Sequence, residues 1–156
     1  MTGVPLPLRL LAPDPAATRA FGERLGRAAP AGDVIALSGP LGAGKTELAR
    51  GIARGLGVVG PVSSPTFILV AEHEGRLPRF HLDGYRLAGA EEGLGAGLLD
   101  ERRAAGVTVV EWAERVAAAL PIGRLEIRLD GSGDDTRTLV CSATDVRHAR
   151  LLQALA

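Results

Sequence analysis

A chain of 156 residues fits one compact domain, here residues 1–156, and 46% hydrophobic residues supply enough apolar material for a real core. Lys+Arg and Asp+Glu both number 18, a balance that argues against non-specific nucleic-acid binding through a broad basic surface and leaves room only for a local patch. The single cysteine, Cys141, excludes an intrachain disulfide and a multi-cysteine metal site. It lies in the apolar run Thr138–Cys141 and reads as a small buried hydrophobe. No run approaches the ~18 apolar residues of a membrane span. The start Met1–Pro7 lacks the basic and apolar stretches of a secretory signal, so a cytoplasmic protein is expected.

Leu6–Leu11 reads as a short edge strand. Asp14 is placed to cap a helix over Pro15–Ala28, with Pro15 in its first turn and Phe21, Leu25 and Ala28 as its apolar stripe. Ala29–Gly32 breaks the chain. Val34–Leu37 is a continuous apolar run, the pattern of a strand buried on both faces. A glycine-rich loop follows, then a helix from Lys45 to about Leu56, ended by Gly57. Phe67–His73 and Leu77–Asp83 read as a hairpin around Glu74–Arg76. A short helix is expected within 89–106. Val107–Val110 reads as a second buried strand, and Trp112–Leu120 as a helix stopped by Pro121. Leu125–Leu129 and Thr136–Ser142 form a second hairpin. Asp145–Ala156 is a final helix with Val146, Leu151, Leu152 and Leu155 on its apolar face. The alternation of helices and strands predicts an α/β fold. The two hairpins predict a mixed sheet flanked by helices.

The segment Gly39 to Thr46 matches G-x-x-x-x-G-K-[ST], between a buried strand and a helix, where the pattern has a mechanism. Its glycines, Gly39, Gly42 and Gly44, with Leu41 and Ala43 between them, let successive N–H groups curl around an anion. The helix that follows adds its positive end. Lys45 is placed to reach the β and γ phosphates of a nucleotide, and Thr46 to put its hydroxyl on Mg²⁺. Lys45 is the sole lysine among 18 Lys and Arg residues. A chance placement of that one residue in the motif has a probability of roughly one in 700 from the composition. A chain that otherwise uses Arg keeps Lys where a compact point charge must fit a loop.

Such a site also needs an acidic residue at the end of a neighbouring strand. Glu111 and Asp83 are the candidates, each alternatively a carboxylate that caps the next element. Asp33 sits at the wrong end of its strand and reads as solvated. Ser63-Ser64-Pro65-Thr66 is either a segment whose hydroxyls sense the γ-phosphate or a simple Ser/Pro turn. His73, His81 and His148 lack metal-ligand spacing, and His81 receives no catalytic role. A small-molecule kinase is the alternative reading, with Arg102-Arg103 as its lid, although no acceptor motif is evident. A GTPase would need an N/T-K-x-D loop. The only Lys is already used, and the chain contains no Asn.

Gly39–Thr46, Ser64-Pro65-Thr66-Phe67, His81-Leu82-Asp83-Gly84-Tyr85-Arg86-Leu87 and Glu111-Trp112, in that order and spacing, resemble the TsaE (YjeE) family. That family comprises small bacterial ATPases required for threonylcarbamoyladenosine modification of tRNA. The resemblance runs from about Ala17 to Arg137. It implies a P-loop NTPase-like domain and a weak ATPase that binds ATP and Mg²⁺. It implies action with the TsaB–TsaD complex, after TsaC has made threonylcarbamoyl-adenylate, on the adenosine beside the anticodon of tRNAs reading codons that begin with A. Direct contact with tRNA is left open. By matching position, Lys45 binds phosphate, Thr46 and Glu111 hold Mg²⁺, and Asp83 serves hydrolysis. Thr66 is the switch-like residue, Trp112 lies near the site, and Thr18 and Arg137 match the nucleotide's base end. The chain departs from the family pattern at Glu47, Gly84 and Phe67. Of these, Glu47 brings a negative charge towards the phosphates.

Overall fold

The computed structural model describes residues 7–40, 42, 44–59, 70–84, 104–131 and 135–155. In chain order the elements are β1 (Leu8–Ala12), α1 (Pro15–Ala28), β2 (Val34–Ser38), α2 (Lys45–Gly55), β3 (Val70–His73), β4 (Arg79–Asp83), β5 (Val107–Glu111), β6 (Leu125–Gly131), β7 (Arg137–Ala143) and α3 (Val146–Leu155). The strands form one sheet in the order β1-β7-β6-β2-β5-β4-β3. β2 lies parallel to β5 and β6, and β4 parallel to β5, while β3, β7 and β1 join antiparallel. The mixed α/β sheet expected from the sequence is therefore present, with β1 at an edge. Its parallel centre is possible because β2 and β5 carry apolar side chains on both faces. One face packs Ile35, Leu37, Val107 and Val109 against α1 and α2. The other packs Ala36 and Val110 against Phe80, Leu82, Val116 and Leu120.

α1 begins as its sequence dictates: the Asp14 side chain accepts the Ala17 N–H at 2.7 Å, with Pro15 in the first turn. Its buried face differs from the expected stripe. Ala28 is exposed, and the face is Thr18, Phe21, Gly22, Leu25 and Gly26. The reason is a close crossing with α2. A Cβ on Gly22 or Gly26 would sit 2.6 Å from the Leu48 carbonyl oxygen or 2.2 Å from that of Ile52. A Cβ on Gly51 or Gly55 would sit 2.2 Å from the Arg19 carbonyl oxygen or 2.1 Å from that of Glu23. Two glycine pairs at i, i+4 thus bring backbone against backbone, as small-residue crossings do.

Three further expectations are corrected. Trp112–Leu120 is not one helix but two 3-10 turns, Ala113–Arg115 and Ala117–Ala119. Trp112 enters in the left-handed region (φ 55°) and Val116 (φ −131°) interrupts the run, so Ala113, Val116 and Leu120 fold under the sheet. On α3, Val146 is exposed, and the buried face is His148, Ala149, Leu151, Leu152 and Leu155. Asp33 is fully buried rather than solvated. Its Oδ1 meets Arg147 Nε at 2.8 Å and lies 3.6 Å from His148 Nε2. The Val34 N–H donates to His148 Nε2, so the ring carries its proton on Nδ1, 2.6 Å from Asp145 Oδ1. This cluster ties α3 to the start of β2. The start of the first hairpin, Phe67–Leu69, and most of the helix expected within 89–106 lie outside the described residues.

Burial raises the Asp33 carboxyl above its ordinary value, with the charge and hydrogen bond of Arg147 opposing the rise. The penalty of the ionised form is present above the folded pKa and relieved as pH falls through it. Arg147→Ala, which takes away a cation, is expected to cost about 1–2 kcal/mol at neutral pH. The loss should shrink in acid. Urea midpoints of both proteins at the two pH values check this, and an equal loss at both would show that Asp33 is not the group involved. Cys141 is buried, and desolvation pushes its thiol up to about 12, in keeping with an inert hydrophobe.

Candidate nucleotide-binding site

β2, the central strand, delivers the chain at Ser38 to the C-terminal end of the parallel strands, where it turns through glycines. Gly39, Gly42 and Gly44 have φ of 135°, 80° and 100°, a backbone shape closed to most side chains. A Cβ on Gly39 would strike the Leu129 carbonyl oxygen at 2.3 Å, whereas one on Gly42 would meet nothing within 4 Å. One glycine is packed and the other borders open space. α2 starts at Lys45 with Gly44 as its N-cap and no side-chain cap bond. Its first N–H groups therefore keep their partial positive charge for an external anion. Arg137 donates to the Gly42 carbonyl at 3.1 Å and so braces the loop from β7. Leu41 and Ala43 lie outside the described residues.

Lys45 is 5% exposed. Its Nζ donates to the carbonyls of Gly39 (2.5 Å) and Pro40 (2.8 Å) and sits 3.9 Å above the Trp112 ring. Burial lowers the ammonium's pKa, opposed by the charges of Glu114 and Glu111. A buried cation whose hydrogen bonds among the described residues go to backbone carbonyls is a ready partner for a phosphate. Next to it, Thr46 Oγ1 lies 3.3 Å from Glu111 Oε1. Glu111 ends β5, in register with Asp83 at the end of β4. Burial would raise the Glu111 carboxyl, but the hydrogen bonds of His81 and Thr46, with the charge of Arg79, outweigh it and hold the group below its ordinary value. Glu111 is thus a carboxylate at the mouth of the loop. A hydroxyl and a carboxylate converging beside an anion cradle are the donor set Mg²⁺ takes from a protein when phosphates and waters complete its shell. These residues fit a phosphate group with Mg²⁺ beside it.

Not every anticipated residue joins this group. Thr18 lies on the face of α1 that packs on α2, with its hydroxyl buried, and among the described residues no hydrogen bond links it to the loop. Thr66, with Ser63–Pro65, and Tyr85–Leu87 and Arg102-Arg103, lie outside the described residues. Glu47 turns sideways: its carboxylate pairs with Arg19 at 2.6 Å and Arg50 at 2.9 Å, so its charge is engaged away from the loop. Two residues were missed by sequence reasoning. Glu114 accepts the Gly39 N–H at 3.1 Å. His81 Nε2 lies 2.6 Å from Glu111 Oε2. The available signal for His81 was the alternation Arg79-Phe80-His81-Leu82-Asp83, which puts three polar residues on one face of a buried strand.

A glycine loop between a buried parallel strand and a helix, with an acidic residue ending the next strand, defines a P-loop NTPase-like protein. The model of the family described as "Threonylcarbamoyl adenosine biosynthesis protein TsaE" matches residues 12–139. The chain belongs to the TsaE family. It is 40% identical over 144 residues to the tRNA threonylcarbamoyladenosine biosynthesis protein TsaE of Bacillus subtilis, covering 91% of this chain and 89% of that protein. It is 45% identical over 130 residues to the protein of the same name from Mycobacterium tuberculosis, covering 77% of each. The crystal structure of Bacillus subtilis YdiB superposes with a TM-score of 0.77 at 33% identity, covering 99% of this chain and 95% of that one. Among the described residues no helix is long and apolar enough to cross a membrane.

Proposed function

We propose that this chain acts as one P-loop domain in the cytoplasm. It binds Mg-ATP on Gly39–Thr46 and hydrolyses it slowly in support of threonylcarbamoyladenosine modification of tRNA, together with the TsaB–TsaD complex. The observation that carries the reading is the convergence of Lys45, Thr46 and Glu111 at the start of α2. The names of its relatives supply the pathway. Lys45 exchanges the Gly39 and Pro40 carbonyls for phosphate oxygens. The N–H groups of the loop and the first turn of α2 orient the phosphates. Thr46 and Glu111 would hold Mg²⁺, which when bound neutralises charge on the phosphates. Asp83, beside Glu111, orients water for hydrolysis, Trp112 walls the Lys45 side, and Arg137 holds the loop's shape near the base end. Thr18 and Thr66 keep their assigned places by family likeness. Positioning and charge neutralisation without a committed arginine finger give slow turnover.

The test is a reconstituted modification assay with tRNA, the adenylate-forming enzyme and TsaB–TsaD, with and without this protein. Many turnovers that require both the protein and ATP support the reading. Unchanged turnover removes it and makes kinase activity the next thing to measure. In a separate phosphate-release assay, Glu111→Gln is expected to lose hydrolysis by about 100-fold while still binding ATP. Hydrolysis equal to wild type would take Glu111 out of the site's chemistry.

A further inference from the structure

The two oxygens of Glu111 have different partners. Oε2 lies 2.6 Å from His81 Nε2, and Oε1 lies 3.3 Å from Thr46 Oγ1. Both members of the His81–Glu111 pair are almost enclosed, with 2% and 7% of their side chains exposed. A carboxylate on a flexible stem turns freely about its last bond, so something must fix which oxygen faces the loop. His81 is built for that. It stands on β4, two residues before Asp83, on the face that looks at α2. Its Nδ1 is buried and has no hydrogen-bond partner among the described residues. An unpaired acceptor nitrogen there is consistent with the tautomer that carries its proton on Nε2 and donates it to Glu111. Arg79, on the same face, gives its guanidinium to the Ala49 carbonyl at 3.3 Å and to His73 at 3.2 Å, so the side-chain hydrogen bonds to Glu111 among the described residues come from His81 and Thr46.

We propose that His81 is a positioning residue: it anchors one oxygen of Glu111 so that the other faces Thr46, and thereby sets how tightly the site takes a divalent cation beside the nucleotide. The inference rests on the Mg-ATP reading above. A histidine that merely filled space would matter for stability alone. One that orients Glu111 matters for Mg²⁺ and leaves the Lys45 phosphate contact intact. This is the division found when the outer partner of a metal-binding carboxylate is removed, typically ~10–100-fold in metal affinity.

Trp112 is the sole tryptophan and lies against Lys45, so its fluorescence can report nucleotide binding without reference to hydrolysis. ATP is titrated into wild type, His81→Leu and His81→Gln, first with EDTA and then across a Mg²⁺ series, with calorimetry in parallel. All three are expected to bind ATP alike in EDTA. His81→Leu should need ~10–100-fold more Mg²⁺ for its half-maximal effect. His81→Gln, whose amide nitrogen reaches close to the place of Nε2, should return most of that loss. Wild-type Mg²⁺ dependence in a folded His81→Leu, or a Gln variant no better than Leu, overturns the proposal. Should the Leu variant not fold, His81→Asn replaces it. Its amide falls short of Nε2, so a Mg²⁺ response equal to that of the Gln variant overturns the proposal in the same way. Failure of the underlying reading shows in wild type alone, as ATP binding with no response to Mg²⁺ or no binding at all.

Discussion

Lys45→Ala is expected to weaken ATP binding at least ~100-fold while leaving the melting temperature nearly unchanged. The two halves of this result have separate causes. On a phosphate, the ammonium makes charge-assisted hydrogen bonds worth about 1.5–3 kcal/mol each, and two of them account for a hundredfold or more. In the free protein, its bonds to Gly39 and Pro40 and its contact with the Trp112 ring are offset by the cost of burying the charge, which is what lowers its pKa. The desolvation cost of a buried charge can equal or exceed what its partners return. Calorimetric titration with ATP and a thermal melt measure the two halves. Wild-type affinity in the variant would mean that phosphate binds elsewhere.

Gly51 is where a single methyl group should do the most structural damage. Alanine gains about 1 kcal/mol of helix propensity over glycine. That gain is outweighed because the new Cβ would lie 2.2 Å from the Arg19 carbonyl oxygen, a backbone atom that no rotamer change can move. The helices must part, which costs about 1–3 kcal/mol for overpacking of this kind, and more as the packing on either side opens. Gly51→Ala should therefore be less stable by roughly 1 kcal/mol or more. Gly51→Leu should lose the cooperative unfolding transition altogether. Urea unfolding followed by circular dichroism reads both. An alanine variant more stable than wild type would show that α1 can give way. Because α2 carries Lys45 and Thr46 on its first turn, the alanine variant should also bind ATP more weakly.

What could be read in advance was what is local. The strand, glycine loop and helix around Lys45 occupy one short stretch, and each residue's chemistry dictates its neighbour's. Glu111 was found because an apolar run ends on it. Contacts that depend on strand register were not visible: His81 reaches Glu111 only because β4 and β5 lie parallel with Leu82 opposite Val110. Asp33 looked solvated because Arg147 and His148, which bury it, come from the far end of the chain. The Trp112–Leu120 run has helix-like composition, and nothing in it announces a left-handed Trp112. The glycines of the α1–α2 crossing were legible as two i, i+4 pairs. In a chain with 21 glycines they were passed over in favour of a larger apolar stripe.

The outermost position of β1 has a consequence for solubility. An edge strand offers unpaired N–H and C=O groups to any second chain, and Leu11, 70% exposed, adds an apolar side chain to the invitation. Pro7 and Pro13 stand immediately before and after Leu8–Ala12. Neither can donate a backbone hydrogen bond, so a foreign strand finds a register of only five residues, with the charge of exposed Arg9 among them. The two prolines thereby limit how far a second chain can pair along this edge.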